Sequence, residues 1–395
     1  MKTAKILANL AVIVIAMWVL LTHHDKIQAS ISGRDSIAYW ATGKRLIDHQ
    51  NPYSSEDVLA LEKSAGYKAE KPMMLRPPPW SLWMVLPLGF LGAYGAWVLW
   101  IAVLITSLVL AMRMLWYIYG DESHPNASFL IAGYLFAPVA ACLVAGQMGI
   151  ALLLGITLFL LLEEKHTFYA GIVLIIPFVK PHIFSLVWPV LGIWIITRKR
   201  WSLLGGFASA FVITNLIALA CDPAIFQHYH QMIDQEGIQK QFIPALSGVI
   251  RLVFFRRVFW VQFVPLGLGL LWAGRYYWVN RQQWNWRQHG PALLVISALT
   301  TPYSWISDEV VVLPAVLQGV MWISGTRLKL RSKVALIIFG LLDLLILLII
   351  RAEVRPDTGI YFWTSLLWFS WYWYARTFRR SDQSVPQPSA HFVQV

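Results

Sequence analysis

Apolar runs recur along the whole of this 395-residue chain, and they fix what it can fold into. Ile6–Leu21 comes first, behind Lys2 and Lys5. It is followed by Trp80–Phe90, Tyr94–Tyr117, Ala127–Ala145, Met148–Leu162, Tyr169–Val179, Ile183–Thr197, Leu203–Cys221, Phe259–Ala273, Pro291–Thr300, Val310–Ser324, Val334–Ile350 and Ile360–Tyr374. A bilayer crossing takes about 20 apolar residues as a helix. In lipid every backbone donor and acceptor must be satisfied internally. An all-α, polytopic integral membrane protein with about 11–13 transmembrane helices follows. The composition agrees: 58% of residues are hydrophobic and 13% charged, against about 25% charged in soluble domains. Met1–Leu21 lacks a small-residue cleavage site and runs into His23, His24, Asp25 and Lys26, so it reads as an uncleaved first helix. Trp80–Phe90 is too short to cross and reads as an interfacial or re-entrant segment.

With Lys2 and Lys5 inside, the spans alternate so that the whole net charge of +12 falls on the inner loops, which carry Arg198-Lys199-Arg200, Arg275, Arg281, Arg287 and Lys329 among others. The charge is therefore an orientation signal, not a nucleic-acid footprint. Both termini are expected in the cytoplasm of a multi-pass plasma-membrane protein. A single membrane-embedded domain spans 1–375, with long outer loops at 22–79 and 222–258. The tail over 376–395 reads as a disordered cytoplasmic segment. Cys142 and Cys221 lie in apolar runs and form neither a disulfide framework nor a zinc pattern.

The first outer loop opens on helical periodicity. Over Ser36–His49, Ile37, Tyr39, Trp40, Gly43, Leu46 and Ile47 share one half of the wheel, and Ala38, Thr42, Arg45, Asp48 and His49 the other. This predicts an amphipathic helix lying on the membrane. Asn51-Pro52-Tyr53 ends it, and Ser54-Ser55-Glu56-Asp57 opens a second short helix that stops near Gly66. Asp35 sits at the first turn, where it reads either as an N-terminal helix acid or as a base held at the lipid surface.

Ionisable residues at membrane depth are costly and need a reason. Three polar clusters interrupt the apolar runs on the outer side: Gly146-Gln147, Lys180-Pro181-His182, and Thr300-Thr301-Pro302-Tyr303-Ser304-Trp305 with Ser307, Asp308 and Glu309. Broken helices at that depth line protein or a wet cavity, so with Asp35 these clusters predict one outward-opening polar cavity. The chain carries no carboxylate cluster for a divalent metal, no Walker loop and no Gly-x-Ser-x-Gly elbow. No metal and no cofactor are expected.

The ordered set Gly33-Arg34-Asp35-Ser36 with Tyr39, Asn51-Pro52-Tyr53, Arg76-Pro77-Pro78-Pro79, Pro87-Leu88, Gly146-Gln147, Gly171 and Lys180-Pro181 resembles glycosyltransferase family 87. These are bacterial polyprenol-phosphate-mannose-dependent mannosyltransferases of the membrane-embedded C superfamily, and the resemblance runs from Met1 to about Tyr374. It implies transfer of a hexose, foremost mannose, from a polyprenyl-phosphate sugar to a lipid or glycan acceptor on the extracytoplasmic face, with Asp35 as general base. Pro302-Tyr303-Ser304-Trp305 matches a family motif that often continues into histidines. Here Ile306-Ser307-Asp308-Glu309 follows, leaving open whether Asp308 or Glu309 replaces a family histidine. A lipid phosphate is already an anionic leaving group, so an inverting, metal-independent displacement fits. Lys180, Arg76 and Arg256 are the expected phosphate ligands, with Tyr39, Tyr53, Gln147, His182, Tyr303, Trp305 and Asp308 lining the cavity. The competing readings are a transporter or flippase of lipid-linked sugars, which broken helices also suit, and a non-catalytic envelope partner. Membrane lipids are expected partners, and nucleic acid is not.

Overall fold

The structure is a computed structural model that describes residues 14, 18, 33–121, 127–236, 243–325, 330–352 and 358–378. The opening helix expected at Met1–Leu21 and the tail beyond Phe378 lie outside these residues, apart from Val14 and Trp18. Among the described residues there are α-helices, short 3-10 turns and no strands. The helices are α1 (Ser36–Ile47), α2 (Ser55–Ser64), α3 (Ala93–Tyr119), α4 (Ala127–Tyr134), α5 (Ala137–Ala145), α6 (Gly149–Leu162), α7 (Thr167–Val173) and α8 (Val187–Thr197). They continue with α9 (Trp201–Cys221), α10 (Ile225–Glu236), α11 (Leu246–Phe254), α12 (Val264–Asn280), α13 (Trp286–Thr300), α14 (Leu313–Gly325), α15 (Leu330–Arg351) and α16 (Thr364–Ala375).

Among the described residues, four helical stretches are long and apolar enough to cross a membrane by themselves: Ala93–Tyr119, Ala127–Ala145, Trp201–Cys221 and Leu330–Arg351. The shorter apolar helices Gly149–Leu162, Thr167–Val179, Val187–Thr197 and Glu309–Ser324 pack among them. This is the architecture of a polytopic membrane protein. At about 1.5 Å per residue, the 14 residues of α6 span about 21 Å of a hydrocarbon layer about 30 Å thick. A helix that short cannot carry its two ends to both surfaces, so at least one end stops short of one.

The two ends of the bundle differ in chemistry. At one end Arg198 Nη2 donates to the carbonyls of Arg281 (2.8 Å) and Gln282 (2.7 Å), Arg287 Nε donates to Leu160 O (3.0 Å), and Tyr119 donates to Arg287 O (2.9 Å). The short basic loops thus meet one another there. At the other end lie the start of α1, Gln147, Lys180 and the stretch 301–308, as the alternation of spans requires.

The segment Trp80–Phe90 does not cross. It forms two 3-10 turns, Pro79–Met84 and Leu86–Phe90. The second carries Gly89 against Gly43 of α1 so closely that a side chain on either glycine would meet the other's backbone. Together with its packing on α2, α3 and α9, this contact changes the expected character of α1. The helix stands where its periodicity places it, but Ala38 and Thr42, on its polar half, are as buried as Tyr39 and Leu46. Only Asp48 and His49, just past its end, are exposed, with Lys44 paired to Asp48 (3.1 Å) and Arg45 to Asp57 (2.7 Å). α1 is therefore a packed element, not one resting on lipid with a solvated face. α2 is capped as its sequence predicts: Ser54 Oγ accepts from the Asp57 amide at 3.4 Å.

The run Ala127–Ala145 is split. Pro138 has no N–H for the carbonyl of Tyr134, so the helix breaks at Leu135-Phe136 and restarts as α5 with proline in its first turn. The freed amide of Ala137 is taken by a carboxylate from another span, Asp343 Oδ1 of α15, at 2.9 Å. Asp343 is itself buried.

Candidate active site

The site forms where the C-terminus of α5 meets the N-terminus of α1. The last carbonyls of a helix have no partner within it, and here three are answered from outside. Arg34 Nη1 donates to Val144 O (2.7 Å), the Asp35 amide to Ala145 O (3.1 Å), and Trp100 Nε1 to Gly146 O (2.7 Å). Gly146 makes the joint possible. It sits at φ +71°, in the left-handed region that favours glycine, and a Cβ there would stand 3.1 Å from Ser36 Cβ.

Past that turn, Gln147 lies beside Asp35. Its Nε2 donates to Asp35 Oδ2, while its Oε1 accepts from Tyr39 Oη (3.1 Å) and Lys180 Nζ (3.0 Å). Two donors on the oxygen leave the amide nitrogen facing the carboxylate, which fixes its orientation. Lys180 stands between two 3-10 turns, Pro177–Val179 and Pro181–Phe184, and is 8% exposed. Its ammonium also donates to Asp308 Oδ1 at 2.8 Å. Asp308 is 1% exposed, and its Oδ2 accepts from the Trp305 amide at 3.2 Å. A chain of polar contacts thus runs Asp35–Gln147–Lys180–Asp308 across four separate segments.

Asp35 makes no side-chain cap for α1; its carboxylate goes to Gln147 instead. Burial raises its pKa to about 6, further helped by Asp308 and opposed by Lys180 and Arg76. Such a carboxyl is ionised at neutral pH, yet basic enough to take a proton.

The family model for glycosyltransferase family 87 matches residues 77–302, more than half of the chain. The chain belongs to glycosyltransferase family 87. No curated protein and no solved structure matches it. The matched stretch contains Gln147 and Lys180, whereas Asp35 lies ahead of it and Asp308 beyond it.

The remaining expected site residues of this glycosyltransferase fall into two groups around the chain of contacts. Arg76 is close enough for its charge to act on Asp35, and its carbonyl accepts from Tyr229 Oη at 3.3 Å. Tyr53 is buried and packs its ring 5.4 Å from that of Tyr229, with its hydroxyl donating to Pro77 O (3.4 Å). Tyr53 therefore props the Arg76-Pro77 segment. His182 lies edge-on to Tyr303, ring centroids 6.2 Å apart, and its carbonyl accepts from Thr301 Oγ1 (3.0 Å). Trp305 contributes its backbone amide to Asp308.

Arg256 stands apart: it is exposed just past α11, while Arg251, one turn before the end of that helix, is buried. The neighbours Asp308 and Glu309 diverge. Asp308 joins Lys180, and Glu309 accepts from Thr364 Oγ1 and Trp368 Nε1, both 2.8 Å, tying the 309–312 turn to α16. Asp343 was not singled out by the sequence reading. For Asp343 a signal existed, since a lone acid in the middle of an apolar span needs a partner. Among the described residues, no group of three or more His, Cys, Asp or Glu could hold a metal ion.

Proposed function

We propose that this glycosyltransferase moves a hexose, foremost mannose, from a polyprenyl-phosphate donor to a lipid or glycan hydroxyl on the extracytoplasmic side of the plasma membrane. Asp35 Oδ1 takes the proton of the acceptor hydroxyl as that oxygen bonds to the anomeric carbon. The bond from that carbon to the phosphate oxygen breaks with its electron pair leaving on polyprenyl phosphate. General-base assistance of this kind contributes roughly 10²–10⁴-fold, and a single displacement inverts the anomeric centre. Lys180 spends two of its three donors on Gln147 and Asp308, leaving one to meet the donor phosphate. Arg76, whose charge also acts on Asp35, assists.

The observation that carries the reading is the contact from the Gln147 amide to the Asp35 carboxylate. It holds a carboxylate of raised pKa beside a lysine, without using that carboxylate to cap a helix. The test is to incubate the protein in nanodiscs with polyprenyl-phosphate mannose and candidate acceptors, with and without chelator. The expected outcome is a glycosylated product together with free polyprenyl phosphate, both lost in Asp35→Asn while that variant remains folded. Movement of the donor across the bilayer with its glycosyl phosphate bond intact supports the transporter reading and overturns this one, as does undiminished turnover by Asp35→Asn.

A further inference from the structure

Between α11, the 3-10 turn Phe259–Phe263 and the neighbouring ends of α12 and α13 lies a groove of about 540 Å³. Its walls are carbon almost throughout, with Leu246, Ile250, Val261, Val264 and Leu268 on the sides and Thr300 as the polar residue of the lining. α11 shows why groove and site are neighbours. Leu246 and Ile250, four residues apart on one face, line the groove. Ser247 and Arg251, also four apart, are buried on the site side. Ser247 Oγ donates to Thr301 O at 2.9 Å. The Arg251 guanidinium lies 5.4 Å from the Phe259 ring centroid, near enough to Tyr303 for its charge to act on that phenol. Tyr303 in turn meets His182, two residues from Lys180. One amphipathic helix therefore presents a carbon wall on one face and, on the next, a buried cation beside Phe259 and Tyr303.

The rim adds a second mark. Phe254 (72%) and Trp260 (67%) are exposed in the same stretch of chain as the exposed Arg256 and Arg257. A chain already dissolved in lipid gains little hydrophobic free energy by entering such a groove, because lipid is as apolar as the wall. The groove can select only by shape along its length and by charge at its ends. A branched hydrocarbon carrying one anionic head answers both, and arginine pairs with phosphate through its planar fork of donors. The volume falls within the roughly 300–1,000 Å³ of small-ligand sites, enough for the first part of a long chain and not for all of it.

We infer that this groove takes the phosphate-proximal isoprenoid units of the donor, with Arg251 on the phosphate at the passage into the Asp35 cluster; the inference rests on the function proposed above. The experiment is photo-crosslinking in phosphatidylcholine nanodiscs with a polyprenyl phosphate bearing a diazirine on its second isoprene unit. Label is expected on peptides from 246–268, competed by unmodified polyprenyl phosphate and not by phosphatidylglycerol. Ile250→Trp, which fills the groove, is expected to cut that labelling about tenfold and to raise the donor KM by a similar factor with kcat within twofold. Leu271→Trp, on the exposed side of α12, leaves both unchanged. Arg251→Gln raises the donor KM, and Arg251→Lys restores part of the loss.

Label on other spans, no label at all, or competition by the bulk anionic lipid overturns the inference. If transfer proceeds while the label maps elsewhere, the groove assignment alone fails. If no donor supports transfer, the function proposed above fails first, and the crosslink still reports what the groove holds.

Discussion

The surroundings of its carboxyl decide how Asp35 behaves. With its carboxyl raised to about 6, the base is ionised above that pH and protonated below it. The kcat/KM for transfer is therefore expected to hold near neutrality and to fall about tenfold per unit below pH 6, which a pH–rate profile reads directly. Gln147→Ala removes the donor that stabilises the ionised form. A hydrogen bond to a charged group contributes about 1.5–3 kcal/mol, so the acid limb should move up by about one to two units. An unmoved limb would separate Gln147 from the base. Lys180 and Asp308 form a buried pair, with side chains 10% and 0% exposed. Breaking such a pair costs about 3–5 kcal/mol because one charge is left alone. Lys180→Met should therefore lower the unfolding temperature in detergent, and adding Asp308→Asn should recover the stability without recovering transfer.

Elements carry these residues into place. α5 is held at both ends by groups from outside itself: Asp343 takes its first amide, and Arg34, the Asp35 amide and Trp100 take its last carbonyls. Asp343→Leu leaves the Ala137 amide buried without an acceptor, at a cost of about 1–3 kcal/mol. It should reduce both stability and turnover, while Asp343→Asn, which keeps an acceptor oxygen, should retain most of each. Thermal unfolding and initial rates together distinguish the two variants. At the other end of α5, Gly146→Ala forces a side chain into the left-handed region, costing about 1–2 kcal/mol, and presses on Ser36. The expected result is a fall in kcat larger than the change in donor KM, because the shift is felt at the Asp35–Gln147 contact.

For the molecule as a whole, the lengths of its passages shape the site. Full-length helices such as α3 and α15 frame shorter ones, and the breaks between the short helices, at Gln147 and Lys180, fall on the same end. The result is a polar cluster lying below one membrane surface, opposite the end where the basic loops meet. An accessibility scan should reflect this. A cysteine introduced at Gln147 should be modified from the extracytoplasmic side by a small charged reagent, and one at Arg281 only from the cytoplasm. The reverse pattern would invert the topology proposed here.

The residue pattern alone determined the helical membrane class, the breaks at Gly146, Lys180 and Pro302, and the candidacy of Asp35, because bilayer energetics forbids unexplained polar groups and every such group stands out in an apolar run. It also placed α1 and ended it at Asn51-Pro52, since proline and wheel periodicity are local. What a wheel cannot register is a neighbour. The burial of Ala38 and Thr42 follows from the elements that pack around α1, which include α2, α3 and α9 and lie far apart along the chain. The same holds for the partner of Asp343, for the divergence of Asp308 from Glu309, and for the choice of Arg251 over Arg256 as the buried guanidinium. Each depends on which helices pack together, and packing is a long-range property that only the folded molecule decides.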